Sequence, residues 1–314
     1  MKKKEILFVF ILTILINANL KGQIQVFNLA DDFLRYYISS KDLSNELKIE
    51  NFNTNVYNKA PFVYENIFND IKWIGQNTDE RVLNYVDKFE TIEKKYIELN
   101  NTLVTQFDSA LLTFQKEFPD FEPNFDVYFL HSLGIRAGGL VTIKDNEVLM
   151  FGIDQITSSF DFQNFIPFFH HELTHFYHSL YYTPVEDGKY SKGAIYNYLW
   201  REGLAGYVSS VLNPDARQKE VFMRDSLSQK TDKVLKIIAQ DILENLYSSD
   251  TEVIRKYFWG SSTDTVIPKT AGYYIGFILV KELANEYTLN ELIKLTEDIF
   301  VPKFLIIFGN IRDS

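Results

Sequence analysis

The sequence predicts a mainly helical α+β fold, with a helical N-terminal part, a small β-sheet and a helical C-terminal half. Three observations carry this reading. Apolar residues recur at three- and four-residue spacing through most of positions 26–118, and again from Phe165 onward. Between Pro119 and Gly152 the pattern changes to short β-rich runs separated by Gly, Asp and Asn. The composition, 46% hydrophobic and 24% charged over 314 residues, is that of an ordinary globular chain long enough to bury a substantial core.

The elements follow in order. The start, MKKKEILFVFILTILINANLKG, places three lysines before an apolar run at 6–16, with polar and small residues after it. That order is the pattern of a secretory signal peptide over residues 1–22, with cleavage expected after Ala18 or Gly22. The run is short for a membrane span. An exported protein, periplasmic or secreted, is therefore expected, with an uncleaved anchor as the alternative. Residues 23–120 read as a helical N-terminal region. FNLADDFLRYYISS has helical spacing, and the long stretch from Asp79 to Phe118 reads as two helices broken near ELNNT. FDVYFL, GGLVTI and EVLMFGI then suggest about three strands. Helices are expected over 165–182, 195–212, 229–246, 272–284 and 289–300. No internal repeat or low-complexity tract is present.

Charge and cysteine content exclude several functions. Net charge is -10 with a pI near 5.1, and no basic patch follows the first few residues, so nucleic-acid binding is not expected. The 27 Phe and 19 Tyr are read as core and surface composition rather than a stacking platform for bases. There is no cysteine, which closes disulfides, cysteine-bound metals and cysteine-linked lipidation. After the first segment no run is long and apolar enough to span a membrane.

The chemistry concentrates in FFHHELTHFYHSL. Four of the five histidines lie there, His170, His171, His175 and His178, and His131 is the fifth. HELTH matches H-E-x-x-H at His171, Glu172 and His175. A helix turns about 100° per residue, so positions four apart share a face and two imidazoles can hold one Zn²⁺ at about 2.0–2.1 Å. Glu172 projects beside that pair, where it can act as general base rather than ligand. Asp161 and Asn164 are possible caps of this helix, and Pro167 suits its first turn. Its other positions are strongly apolar, and polar groups on a buried helix need a partner, which a metal would supply. The bland alternative is two satisfied core histidines and a surface glutamate.

A two-histidine site needs a third protein ligand. Glu202, in YNYLWREGLAGYVSS, is the best candidate, because it sits among small and apolar residues. Gly203, Ala205 and Gly206 would let that helix pack closely on the histidine helix. Alternatively Glu202 pairs with Arg201 or caps a turn. His178 is one turn beyond His175, but three ligands from one straight helix fit a tetrahedral metal poorly. It is read as pocket wall, structural residue or, last, ligand. His170 points about 100° away from His171 and is not expected to ligate. Asp154 and Asp161 are assigned no chemical role.

HELTH followed by LWREGLAGY resembles the gluzincin metallopeptidases, whose third ligand is a glutamate on a following helix. It is similar to the NEGFA-type helix of zinc aminopeptidases. More closely, residues 140–279 resemble a largely bacterial family of predicted zinc-dependent proteases, and are similar to envelope proteins related to the gliding-motility lipoprotein B group. The shared pattern is a strand pair with Gly138 and Gly139, the H-E-x-x-H helix, an E-G-L-A helix and a GYYIG-like helix start at 272–276. The resemblance implies a zincin-like metallopeptidase region over 121–314, with one Zn²⁺ held by His171, His175 and Glu202. It covers under half of the chain. Two departures stand out. The His175-to-Glu202 interval is longer than in thermolysin-like and aminopeptidase members, and Gly206 occupies the position of the thermolysin-like aspartate. The metzincin pattern fails, since His178 stands at its glycine and Tyr181 at its third histidine.

The resulting expectation is a zinc-dependent peptide hydrolase acting on a peptide or protein substrate, with Glu172 as general base. Tyr273 or Tyr274 is the candidate donor to the oxyanion, through the resemblance of TAGYYIG to the family pattern. The strand at 140–143 or at 148–152 could align an extended peptide. Two other readings are a catalytically silent envelope binding or assembly protein on the same scaffold, and a zinc amidase acting on cell-wall material.

Overall fold

Four strands make the sheet on which the site is built. The computed structural model describes residues 24–144, 146–259 and 264–314, so the expected signal peptide at 1–22 lies outside the described residues. Strands β1 (Gln25–Asn28), β2 (Asp126–Leu130), β3 (Gly138–Ile143) and β4 (Asn146–Gly152) are arranged in the order β1-β2-β4-β3. The first, second and fourth are parallel. β3 returns antiparallel on β4 as an edge strand, with Gly138 opposite Phe151 and Leu140 opposite Leu149. β1 lies in a stretch that reads as helical. It has four residues, and its partner β2 is far downstream, so no local pattern marks it.

Helices α1 (Ala30–Ser40), α2 (Asn45–Asn55), α3 (Pro61–Trp73), α4 (Thr78–Phe89) and α5 (Glu93–Glu117) precede β2. After β4 come α6 (Ile153–Ser159), α7 (Ile166–Ser179), α8 (Ile195–Leu212), α9 (Gln218–Val221) and α10 (Leu227–Asp232). Then follow α11 (Leu235–Asn245), α12 (Thr251–Ile254), a π-helical turn (Arg255–Trp259), α13 (Ala271–Leu283), α14 (Leu289–Leu292) and α15 (Glu297–Asp313). The mainly helical α+β class is thus observed. Among the described residues no helix is long and apolar enough to cross a membrane.

Several boundaries differ from the sequence reading. The break expected near ELNNT is absent, because α5 runs through it and the interruption falls at 90–92. Asn100, a poor helix former, is buried and bonded through both amide atoms: its amide donates to Asp31 Oδ1 at 2.5 Å and accepts from Asn28 Nδ2 at 3.0 Å. Those bonds tie α5 to the β1–α1 corner. The helix expected at 229–246 is two, α10 and α11, and that at 289–300 is split between α14 and α15. Pro302 does not stop α15, whose buried Phe300, Val301, Phe304 and Phe308 anchor it on both sides of the proline.

The main buried core runs from Leu29 to Phe308, with a smaller cluster at Val221, Phe222 and Leu227. The centre of the main core is a phenylalanine layer between α5, the sheet and α7. The Phe107 and Phe169 rings pack edge-on at 5.4 Å, Phe129 and Phe151 stack at 5.2 Å, and Phe151 meets Phe169 at 4.9 Å. These contacts hold α7, with its histidines, against the sheet.

A polar knot fixes the loop that leads into β3. Asp154 is fully buried and accepts from Ser132 N (2.6 Å), Ser132 Oγ (3.1 Å) and Gly134 N (2.6 Å). Its side chain therefore shapes the turn before the edge strand, a role its sequence context does not announce. Beside it His131 is buried and stacked on Phe33, and its Nδ1 accepts from Leu133 N at 3.2 Å. An accepting Nδ1 makes the ring neutral, although Asp154 Oδ2 lies 3.7 Å away. Burial outweighs that carboxylate and pulls the His131 pKa down to about 4. An unfolded histidine takes its proton near pH 6.5. Between 6.5 and about 4 the unfolded chain therefore binds more protons, so stability falls as pH drops through that window. His131 should account for roughly 3 kcal/mol of that loss. Urea unfolding at pH 7 and pH 4.5 should show a smaller pH-dependent loss in His131→Leu than in the wild type. Equal losses would assign the acid sensitivity elsewhere.

Candidate metal centre

The local sequence builds α7 as expected. Asn164 Oδ1 accepts from Ile166 N at 3.3 Å, and Pro167 sits in the first turn. Asp161 does not cap it, pairing with Lys219 Nζ at 3.2 Å instead. α7 lies between α5, β3 and α8 and is buried for most of its length. Gly138 permits the approach of β3, since a Cβ there would run into the Phe168 ring on α7.

His171 and His175 present their Nε2 atoms to one point, 3.0 Å apart. Glu202, from α8, meets both, its Oε2 being 3.2 Å from His171 Nε2 and 3.4 Å from His175 Nε2. Among the described residues this is the one group of three or more His, Cys, Asp or Glu that could hold a metal ion. Two ligand atoms about 2.1 Å from a tetrahedral zinc lie about 3.4 Å apart, so the triangle has the right size for that ion. The donor set, two imidazoles and a carboxylate with one side open, also fits.

The electrostatics agree with a site built for a cation. Burial pushes the Glu202 carboxyl up, but the two histidines, His175 foremost, override it and hold the group far below its usual range. Burial opposes the charged form of His171, and Glu202 reverses that effect. Glu202 has no ion pair with Arg201 among the described residues; the histidines are its partners. Glu172 is 8% exposed and faces the same cavity of about 390 Å³, with no hydrogen bond among the described residues. Burial raises its pKa, against the pull of the histidines.

The remaining predicted residues separate clearly. Tyr273 lines the cavity with its ring over His171, centroids 6.3 Å apart. The Glu202 carboxylate, then burial, raise its pKa well above the ordinary tyrosine value, so its hydroxyl keeps its proton. Tyr274 is not brought to the site. One residue further round α13, it packs edge-on to Phe222 at 5.4 Å, with its hydroxyl 3.5 Å from Asp232 Oδ2. His178 is not a ligand: its Nε2 accepts from Trp200 Nε1 at 3.2 Å, its ring stacks on Tyr182, and burial lowers its pKa to about 3. His170 ties α5 to α7 and α8, with Nε2 donating to Ala110 O at 3.0 Å and Nδ1 accepting from Asn213 Nδ2 at 2.7 Å.

The close packing of Gly203 is with α13 and not with the histidine helix. A Cβ on Gly203 would overlap the Gly276 backbone and lie 2.6 Å from its Cα. Gly206 faces open space by comparison, with Phe222 3.9 Å from a Cβ built there. Contact of α8 with α7 runs instead through Glu202, through Trp200 to His178, and through Ser209 Oγ to Pro167 O at 2.7 Å. Phe160, Arg201 and Met223 also line the cavity and carry no mark in the sequence. Arg201 is exposed there, with no carboxylate partner among the described ion pairs.

A family model described as Predicted Zn-dependent protease (DUF2268) matches residues 139–301, just over half of the chain, and the chain belongs to that family. The match takes in β3 from Gly139 onward, the H-E-x-x-H helix, Glu202 and α13. No curated protein and no solved structure matches.

Proposed function

We propose that this member of the predicted Zn-dependent protease family hydrolyses peptide bonds as a gluzincin-type enzyme, with one zinc held by His171, His175 and Glu202. The observation that carries the reading is the triangle of three ligand atoms 3.0–3.4 Å apart, with the buried Glu172, which has no hydrogen bond among the described residues, in the same cavity. Zinc bound there would supply Lewis acidity and bring a water's pKa toward neutrality.

The chain's own residues do the rest. Glu172, with its pKa raised by burial, takes the proton of the attacking water and returns it to the leaving amine. Tyr273, held protonated by Glu202 and by burial, donates to the substrate oxygen as charge develops on it. β3, an edge strand bordering the cavity at Gly138, Gly139 and Leu140, has no strand on its outer side among the described residues and offers that edge to an extended chain. The N-terminal segment supports export to the periplasm or medium, which N-terminal sequencing of the protein recovered from each cell fraction would test.

Glu172→Gln separates an enzyme from a silent scaffold. The variant should fold, keep its zinc and lose roughly 10²–10⁴-fold in kcat on peptides that the wild type cleaves. Unchanged turnover in a zinc-loaded Glu172→Gln protein would remove Glu172 as the base. No peptide cleavage by zinc-loaded wild type would favour the binding or assembly reading.

A further inference from the structure

A second cavity, of about 130 Å³, opens beside the metal centre and shares Phe160, Met223 and Tyr273 with it as walls. We infer that it is the specificity pocket of the proposed peptidase and takes a bulky apolar side chain, aromatic or large aliphatic, from the residue flanking the scissile bond. This deepens the reading above and rests on it.

The walls argue for that occupant. Phe160, Phe222, Phe258, Trp259 and Tyr273 line the space, and aromatic faces gain most from another apolar or aromatic side chain. Among the described residues the one charged group on the lining is Arg224, which disfavours a lysine or arginine occupant. Tyr273 belongs to both cavities, so a side chain in the pocket leaves its own backbone next to His171 and Glu172.

Two backbone features point to the same place. Phe258 and Trp259 are delivered by the π-helical turn, a rare geometry that concentrates at functional sites. Met223 (φ 54°) and Thr270 (φ 62°) both line the pocket in left-handed conformation, which a β-branched threonine adopts at a cost. Neither has glycine's freedom, so the surrounding packing holds both in place. Trp259, a lining residue, is 48% exposed, with the Arg255 guanidinium 5.8 Å from its ring centroid, so much of its apolar surface is free to meet an incoming group.

The test has two arms. Zinc-loaded wild type is given a randomised peptide library, and cleavage positions are read by mass spectrometry. Cuts should cluster beside Phe, Tyr, Trp, Leu or Met, with kcat/KM for a phenylalanine peptide on the order of 100-fold above its alanine counterpart. Trp259→Ala should reduce that ratio several-fold. In the second arm, Glu172→Gln is titrated with the same two peptides by calorimetry, which needs no turnover. Tighter binding of the phenylalanine peptide, lost in Glu172→Gln/Trp259→Ala, supports the pocket even if the wild type cleaves nothing, in which case only the peptidase reading fails. Cleavage without preference, or beside acidic or basic residues, overturns the pocket and leaves the peptidase reading standing. Equal binding of both peptides overturns the pocket as well.

Discussion

Replacing Glu202 with alanine is expected to release zinc from the chain without unfolding it. The carboxylate is 18% exposed and its partners are His171 and His175, so its removal opens no large apolar void. It does remove the one carboxylate that, among the described residues, pairs with both imidazoles. Two histidines four residues apart then remain, with no third ligand among the described residues to close the site. Losing an outer hydrogen bond to a metal ligand costs roughly 10–100-fold in affinity, and losing a whole ligand should cost more. Zinc per chain, measured by elemental mass spectrometry after dialysis against a weak chelator, should fall from about one in the wild type to near zero. His175→Ala should behave alike, whereas Glu172→Gln should keep its metal, because Glu172 lies beside the triangle and is not part of it. Full zinc retention in Glu202→Ala would place the third ligand elsewhere and reduce the pairing seen here to a carboxylate bridging two histidines.

What could be read from the sequence was what local geometry determines. The four-residue interval in HELTH fixes a shared helix face, whatever surrounds it. The apolar surroundings of Glu202 mark a carboxylate that needs a partner, and the histidines are that partner. The rest depends on contacts between distant segments. Glycine at 203 announces a close approach but not the identity of the approaching helix, and the partner is α13 rather than α7. Tyr273 and Tyr274 are neighbours in one motif, yet the helix turn sends one over His171 and the other toward Asp232. β1 exists because β2 is there to pair with it. Asp154 reads as an ordinary loop acid until the two backbone amides it holds are seen.

The crossing of α8 and α13 sets the second large expectation. Gly203→Ala should destabilise the fold by about 3 kcal/mol, the upper part of the range for overpacking, because the added Cβ meets backbone that cannot rotate away. The melting temperature should fall by roughly 5–10 °C. Zinc affinity should fall with it. Glu202 is the preceding residue, and α8 can relieve the clash only by moving off α13 or rolling, either of which displaces the carboxylate from His171 and His175. Gly276→Ala attacks the same contact from the other side, since its Cβ would overlap Leu199 O and lie 2.9 Å from Gly203 Cα. It leaves the sequence of α8 untouched, so zinc loss in that variant could only come through helix position. Gly206→Ala is the control. Its added methyl meets nothing closer than 3.9 Å, and exchanging glycine for alanine in a helix is worth roughly 0.5–1 kcal/mol, so this variant should melt at or above the wild type and keep its metal. Wild-type melting and full zinc in both Gly203→Ala and Gly276→Ala would mean that the two helices do not touch this closely. Destabilisation with zinc retained would separate the crossing from the site, leaving the approach of α8 to α7, through Trp200 and Ser209, as what holds Glu202 in place.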